Sequence, residues 1–75
     1  MTNGPLRKRI GVILRRHRLT KGLTLRGLGE QAHIPYSFLF AVEHGRSDLT
    51  VARLHALSHV LGPQVVKQTL ALLEK

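Results

Sequence analysis

One stretch constrains the chain more than any other: Thr24 to Gly45, TLRGLGEQAHIPYSFLFAVEHG. Thr24 suits a helix N-cap, because its hydroxyl can accept from an exposed N–H of the first turn. Leu25, Leu28, Gly29 and Ala32 then give a short helix with one apolar side. Glycine costs about 1 kcal/mol against alanine in a free helix, so each one needs a reason. Gly29 has one if the next helix crosses closely there, whereas Gly27 is expected in solvent. His33 falls where the turn calls for φ > 0, which glycine adopts most cheaply and histidine tolerates. Ile34 is wedged in the turn, and Pro35 starts a second helix at or near its first position. On that helix Leu39 and Val42 face inward, and Gly45 stops it. Two short helices around a tight turn cannot bury themselves, so the remaining segments are read as their support.

The segment before this unit reads as a basic first helix. Pro5 suits its first turn. Leu6, Ile10, Ile13, Leu14 and His17 recur at spacings of three and four, and Gly22 is the expected stop. Arg7, Lys8, Arg9, Arg15, Arg16, Arg18 and Lys21 fill most remaining positions. Such a helix can lie on a membrane, but its narrow apolar stripe runs straight into a second patterned helix and fits a core better. After the unit, Arg46, Ser47 and Asp48 form a polar loop. Thr50 caps a fourth helix with Val51, Leu54, Leu57 and Leu61 facing the core. Gly62-Pro63 breaks the pattern and opens a fifth helix. There Val66, Leu70 and Leu73 make one stripe, extended by Val65, Thr69 and Leu72.

The expectation is therefore an all-α, compact five-helix bundle in a single domain spanning residues 1–75. Its core runs over 6–62, a C-terminal helix over 63–74, and Met1–Gly4 is a frayed tail. At 75 residues the chain buries only roughly 60% of its unfolded surface, so dimerisation would help it. It has no cysteine, which removes disulfides and thiolate metal sites and fits a reducing cytoplasm. No apolar run approaches the roughly 18 residues of a membrane span, and the N-terminus lacks the pattern of a signal peptide. Twelve Lys and Arg oppose Glu30, Glu43, Asp48 and Glu74, a net charge of +8. That excess draws polyanions, with nucleic acid ahead of an anionic membrane surface.

Residues 10–62, IGVILRRHRLTKGLTLRGLGEQAHIPYSFLFAVEHGRSDLTVARLHALSHVLG, resemble the phage-repressor-like (lambda-repressor or Xre/Cro-type) helix-turn-helix family. The likeness lies in an ordered set at ungapped spacing: Arg18, Gly22, Leu23 and Thr24; Leu28-Gly29; Glu43 to Gly45; Thr50; and Leu61-Gly62. In that family the second and third helices form the helix-turn-helix, and the third reads the major groove. The likeness implies sequence-specific binding of double-stranded DNA by a transcriptional regulator. It also implies a largely buried ion pair between Arg18 and Glu43; surface charges at both positions are the plainer alternative. Three departures stand out: Leu25 replaces a phosphate-reaching glutamine, His33 the turn glycine, and Pro35 the usual Ser or Thr cap. Residues 46–54, RSDLTVARL, and the final helix bear a narrower likeness to short restriction-modification controller proteins, which dimerise through their last helices.

The resemblance assigns base contacts to Tyr36, Ser37, Phe40 and Ala41, with Arg46 next to the reading helix. Phosphate contacts are expected from Arg15, Arg16, Lys21, Thr24 and Arg26. Phe40 and Ala41 could touch thymine methyls, and Tyr36 and Ser37 a base edge or phosphate. Alternatively Phe40 or Phe38 packs against a neighbouring helix. An apolar outer face also suits a protein partner, as in an antitoxin. A homodimer on a near-palindromic operator is the expected assembly, with Val65, Val66, Leu70 and Leu73 as its surface. Neither catalysis nor a cofactor is expected: four acids, no cysteine and no glycine-rich loop after a strand leave no catalytic set. His55 and His59 share a helix face, but two ligands alone do not make a zinc site, so no metal is expected.

Overall fold

The computed structural model describes residues 4–74. Five helices follow in order: α1 (Gly4–Thr20), α2 (Leu25–Ala32), α3 (Tyr36–Glu43), α4 (Val51–Leu61) and α5 (Gln64–Leu73). No strand occurs among the described residues. Of the expected tail, Met1–Asn3 lie outside the described residues, and Gly4 already belongs to α1.

Local chemistry sets the helix ends. Thr24 Oγ1 accepts from Gly27 N at 2.9 Å, and Thr50 Oγ1 accepts from Arg53 N at 3.1 Å. Both caps satisfy a first-turn N–H that has no partner within its helix. α1 ends in a Schellman motif: Leu23 N donates to Arg18 O and Gly22 N to Leu19 O, with Gly22 at φ 70°. α2 ends around His33 at φ 59°, where Ile34 N and His33 N both donate to Gly29 O. Histidine thus takes the left-handed turn on which the α2–α3 angle depends. Pro35 stands just outside α3 as its N-cap and supplies no side-chain bond.

The core is made by Leu14, Leu28, Ala32, Ile34, Leu39, Val42, Leu54, Leu57, Leu61 and Val65. α1 packs on α3 and α5, α2 on α3 and α4, and α4 on α5. Two glycines permit the closest approaches. A Cβ on Gly29 would come within 2.5 Å of Ile34 O, so α3 can enter its turn only over a bare backbone. A Cβ on Gly11 would meet Val42 O at 2.5 Å and Glu43 O at 2.7 Å. Nothing in the local sequence around Gly11 marks this contact, which arises only from the α1–α3 crossing. Gly27 is not simply solvated either: a Cβ there would lie 3.2 Å from Thr24 Oγ1 and crowd the cap.

The rotation of α5 corrects one expectation. Val65 is 1% exposed and Thr69 4%, so this row faces the core. Val65 is therefore not a dimer-surface residue. Thr69 can join an apolar interior because its Oγ1 donates to Val65 O at 2.7 Å. Val66 is half-buried against the core. Leu70 and Leu73 remain outside, 47% and 57% exposed. A stripe two residues wide has two possible inward edges, and α1 and α4 packing decided between them.

Candidate nucleic-acid interface

The outer face of α3 is the centre of the site. Leu39 and Val42 are fully buried, which fixes the rotation of the helix. Tyr36, Ser37, Phe40 and His44 then face outward, and Ala41 is half-buried at the edge. Phe38 packs against the core from the other side, with the Arg53 guanidinium 4.1 Å above its ring. Phe40 is exposed rather than packed against a neighbouring helix, and it stacks on His44 with centroids 4.0 Å apart. His44 Nδ1 lies 2.9 Å from Phe40 O, an arrangement in which Nδ1–H donates to the carbonyl. The pair forms a stacked, exposed surface at the C-terminal end of α3.

At the other end, the Arg26 guanidinium sits 4.1 Å over the Tyr36 ring. Such stacking holds a cation in place while leaving donors of its planar fork for an oxyanion. One candidate phosphate contact and one candidate base contact thus come together where α2 and α3 start. Glu30 lines the same shallow recess with Arg26, His33 and Tyr36, and places one acid at its rim. The Thr24 hydroxyl accepts from Gly27 N as a cap and is exposed. Lys21 and Arg46 are exposed in the turns that follow α1 and α3.

The two α1 candidates differ. Gly11 and Arg18 mark the α1 row that meets α3. Arg15 borders that row, while Arg16 is turned roughly 140° from Gly11 around the helix. Arg16 instead shares a shallow groove with Lys8, Arg9, Val12, Ile13 and Leu72. Arg16 therefore stands further round α1 from the outer face of α3 than Arg15 does, although the two share a groove with Val12 and Leu19. Val12 and Leu19, 52% and 54% exposed, are apolar residues on this outer side of α1.

Two ion pairs shape the field around α3. Arg18 binds Glu43 in a fork, Nε to Oε2 at 2.7 Å and Nη2 to Oε1 at 3.0 Å, while Nη1 donates to Leu23 O at 2.8 Å. The Glu43 side chain is only 2% exposed. Donating to the Glu43 carboxylate raises the Arg18 pKa above its ordinary value, against desolvation. The second pair was not visible in the sequence. Arg7 Nε and Nη2 reach Asp48 Oδ1 and Oδ2 at 2.7 and 3.0 Å, tying the start of α1 to the α3–α4 loop. The residues stand 41 positions apart, and nothing local links them. Both acids near the C-terminal end of α3 are thereby neutralised, and Lys8 packs beside Gly45. Among the described residues, no group of three or more His, Cys, Asp or Glu could hold a metal ion, and no helix is long and apolar enough to cross a membrane.

An all-α chain with a capped α2, a left-handed turn and an exposed α3 has helix-turn-helix architecture. No family model matches the chain, and no curated protein matches it. The chain is similar to the crystal structure of the clp gene regulator ClgR from Corynebacterium glutamicum. The TM-score is 0.76 at 32% identity, over 88% of this chain and 73% of that one. The chain belongs to the helix-turn-helix regulators.

Proposed function

We propose that the protein is a transcriptional regulator of the Xre/Cro type that binds double-stranded DNA as a homodimer, with α3 in the major groove. The observation that carries this reading is the exposed row Tyr36, Ser37 and Phe40 on α3, with Arg26 held against Tyr36. A net charge of +8, with Glu43 and Asp48 already paired, supports a polyanion as the partner. The likeness to a gene regulator supports the same role. In this reading Tyr36, Ser37, Phe40, Ala41 and Arg46 contact bases. Arg26, Lys21, Thr24 and Arg15 contact phosphates, which position the domain without reading sequence. Phe40 and Ala41 favour thymine methyls, and shape readout supplies the rest. Exposed Leu70 and Leu73 support a two-fold pairing that sets two reading helices about 34 Å apart on a near-palindromic operator. Such a protein acts as a repressor or as a controller of its own promoter.

The test is a gel shift of the untagged protein against the DNA upstream of its own coding sequence, beside random duplex, at several salt concentrations. Preference for the upstream DNA, with affinity falling steeply in salt, is expected. Equal, salt-independent binding to both would overturn the reading and favour the exposed aromatic face as a protein-binding surface.

A further inference from the structure

Two histidines on α4 play no part in the interface above. We propose that His55 and His59 form an open two-nitrogen chelate for Ni²⁺, a late first-row divalent cation. Four residues apart, they stand one helical turn from each other on the same face. Both are exposed. Their Nε2 atoms lie 3.2 Å apart, with the rings nearly perpendicular at 87°.

With each ring in its Nδ1–H tautomer, both Nε2 lone pairs are available to one cation. Two metal–nitrogen bonds of about 2.0–2.1 Å drawn from nitrogens this far apart meet at roughly 100°, between octahedral and tetrahedral angles. The spacing is therefore a chelate bite, and neutral imidazole is a good ligand for this ion. The backbone beneath is held by Ser58, whose Oγ donates to His55 O at 2.6 Å. Val51 and Leu70 wall one side of a shallow groove at His55. The other histidines are differently engaged: His17 with Gln68 Oε1 at 3.0 Å, His44 with Phe40, and His33 in the left-handed turn. With two protein nitrogens, the ion keeps water in its remaining positions and exchanges freely, unlike a closed structural site.

The experiment is calorimetric titration of the untagged chain with Ni²⁺. One ion per chain is expected, with affinity reduced roughly tenfold or more in His55→Ala and in His59→Ala, and retained in His17→Gln. Ni²⁺ should also raise the melting temperature of the unsubstituted protein but of neither alanine variant, since binding only the native state stabilises it. In the unsubstituted protein, the His55 and His59 ring resonances should be the first to broaden as Ni²⁺ is added. Binding unchanged in either variant, or first broadening at His17, His33 or His44, overturns the assignment.

Discussion

Arg18 on α1 and Glu43 on α3 are joined by a two-bond fork at 2.7 and 3.0 Å, and Glu43 is nearly out of solvent. The third Arg18 bond, to Leu23 O, ties the same guanidinium to the turn that enters α2. One side chain thus sets α3 against both α1 and the α1–α2 corner. Removing Glu43 leaves a partly buried cation without its partner. Glu43→Ala should cost about 3–5 kcal/mol and lower the melting temperature by more than about 10 °C, as followed by circular dichroism. A loss of a degree or two would mean that the pair adds little.

Gly11 marks a second point where α1 and α3 meet. Gly11→Ala should destabilise the protein by about 1–3 kcal/mol, because backbone carbonyls rather than a movable side chain occupy the space. The Val42 and Glu43 carbonyls cannot yield without shifting α3, so DNA affinity should fall with stability. Gly4 has nothing within 4 Å of its would-be Cβ, so Gly4→Ala should stay within about 0.5 kcal/mol of the parent. Chemical denaturation of the two variants side by side checks the contrast.

Arg26 and Tyr36 should separate by their effect on DNA binding. Arg26→Ala should weaken operator and random DNA alike and lower the salt slope by about 1, as for one lost phosphate contact. Tyr36→Ala should cost about 1–3 kcal/mol on the operator and much less on random duplex. Fluorescence anisotropy over a salt series measures both quantities. Equal losses on both DNAs for Tyr36→Ala would remove it from base reading.

Asp48 gives a pH dependence of defined sign. The hydrogen bonds from Arg7 hold its carboxyl below the ordinary value of 3.8, assisted by the Arg7 charge and opposed by desolvation. A carboxyl lowered in the folded state contributes stability that is present above 3.8 and lost as pH falls through the depressed value. The pair is exposed, so that contribution is small and weakened by salt. An NMR titration should find Asp48 below 3.8 in the parent and near it in Arg7→Ala. An Asp48 pKa that is the same in both proteins would exclude Arg7 as the cause.

The two edges of α5 should respond differently to charge. Leu70→Asp should keep the fold and shift sedimentation toward monomer, because Leu70 is 47% exposed. Val65→Asp should unfold the domain, since an unpaired carboxylate would enter the core. A dimer unaffected by Leu70→Asp would place the association surface elsewhere, with the exposed Val12 and Leu19 side of α1 the next face to test.

Much of this protein was determined by its sequence alone. Five apolar repeats at helical spacing, the caps Thr24 and Thr50, and the stops Gly22 and Gly45 are local chemistry acting over a turn or two. They specify the helices and the turn at His33 without reference to distant residues. The outward row on α3 was also legible, because Leu39 and Val42 leave only one face for Tyr36, Ser37 and Phe40. Tertiary structure decided what depends on how helices rotate and cross. It put Val65 and Thr69 inward on α5, turned Arg16 further from α3 than Arg15, and set Gly11 close against the α3 backbone. It also joined Arg7 to Asp48 and stacked Arg26 on Tyr36. Periodicity defines a stripe but not which edge of it faces the core, and charge defines a partner's sign but not which partner lies within 3 Å. Both answers come from packing five helices around one interior, which only the folded chain performs.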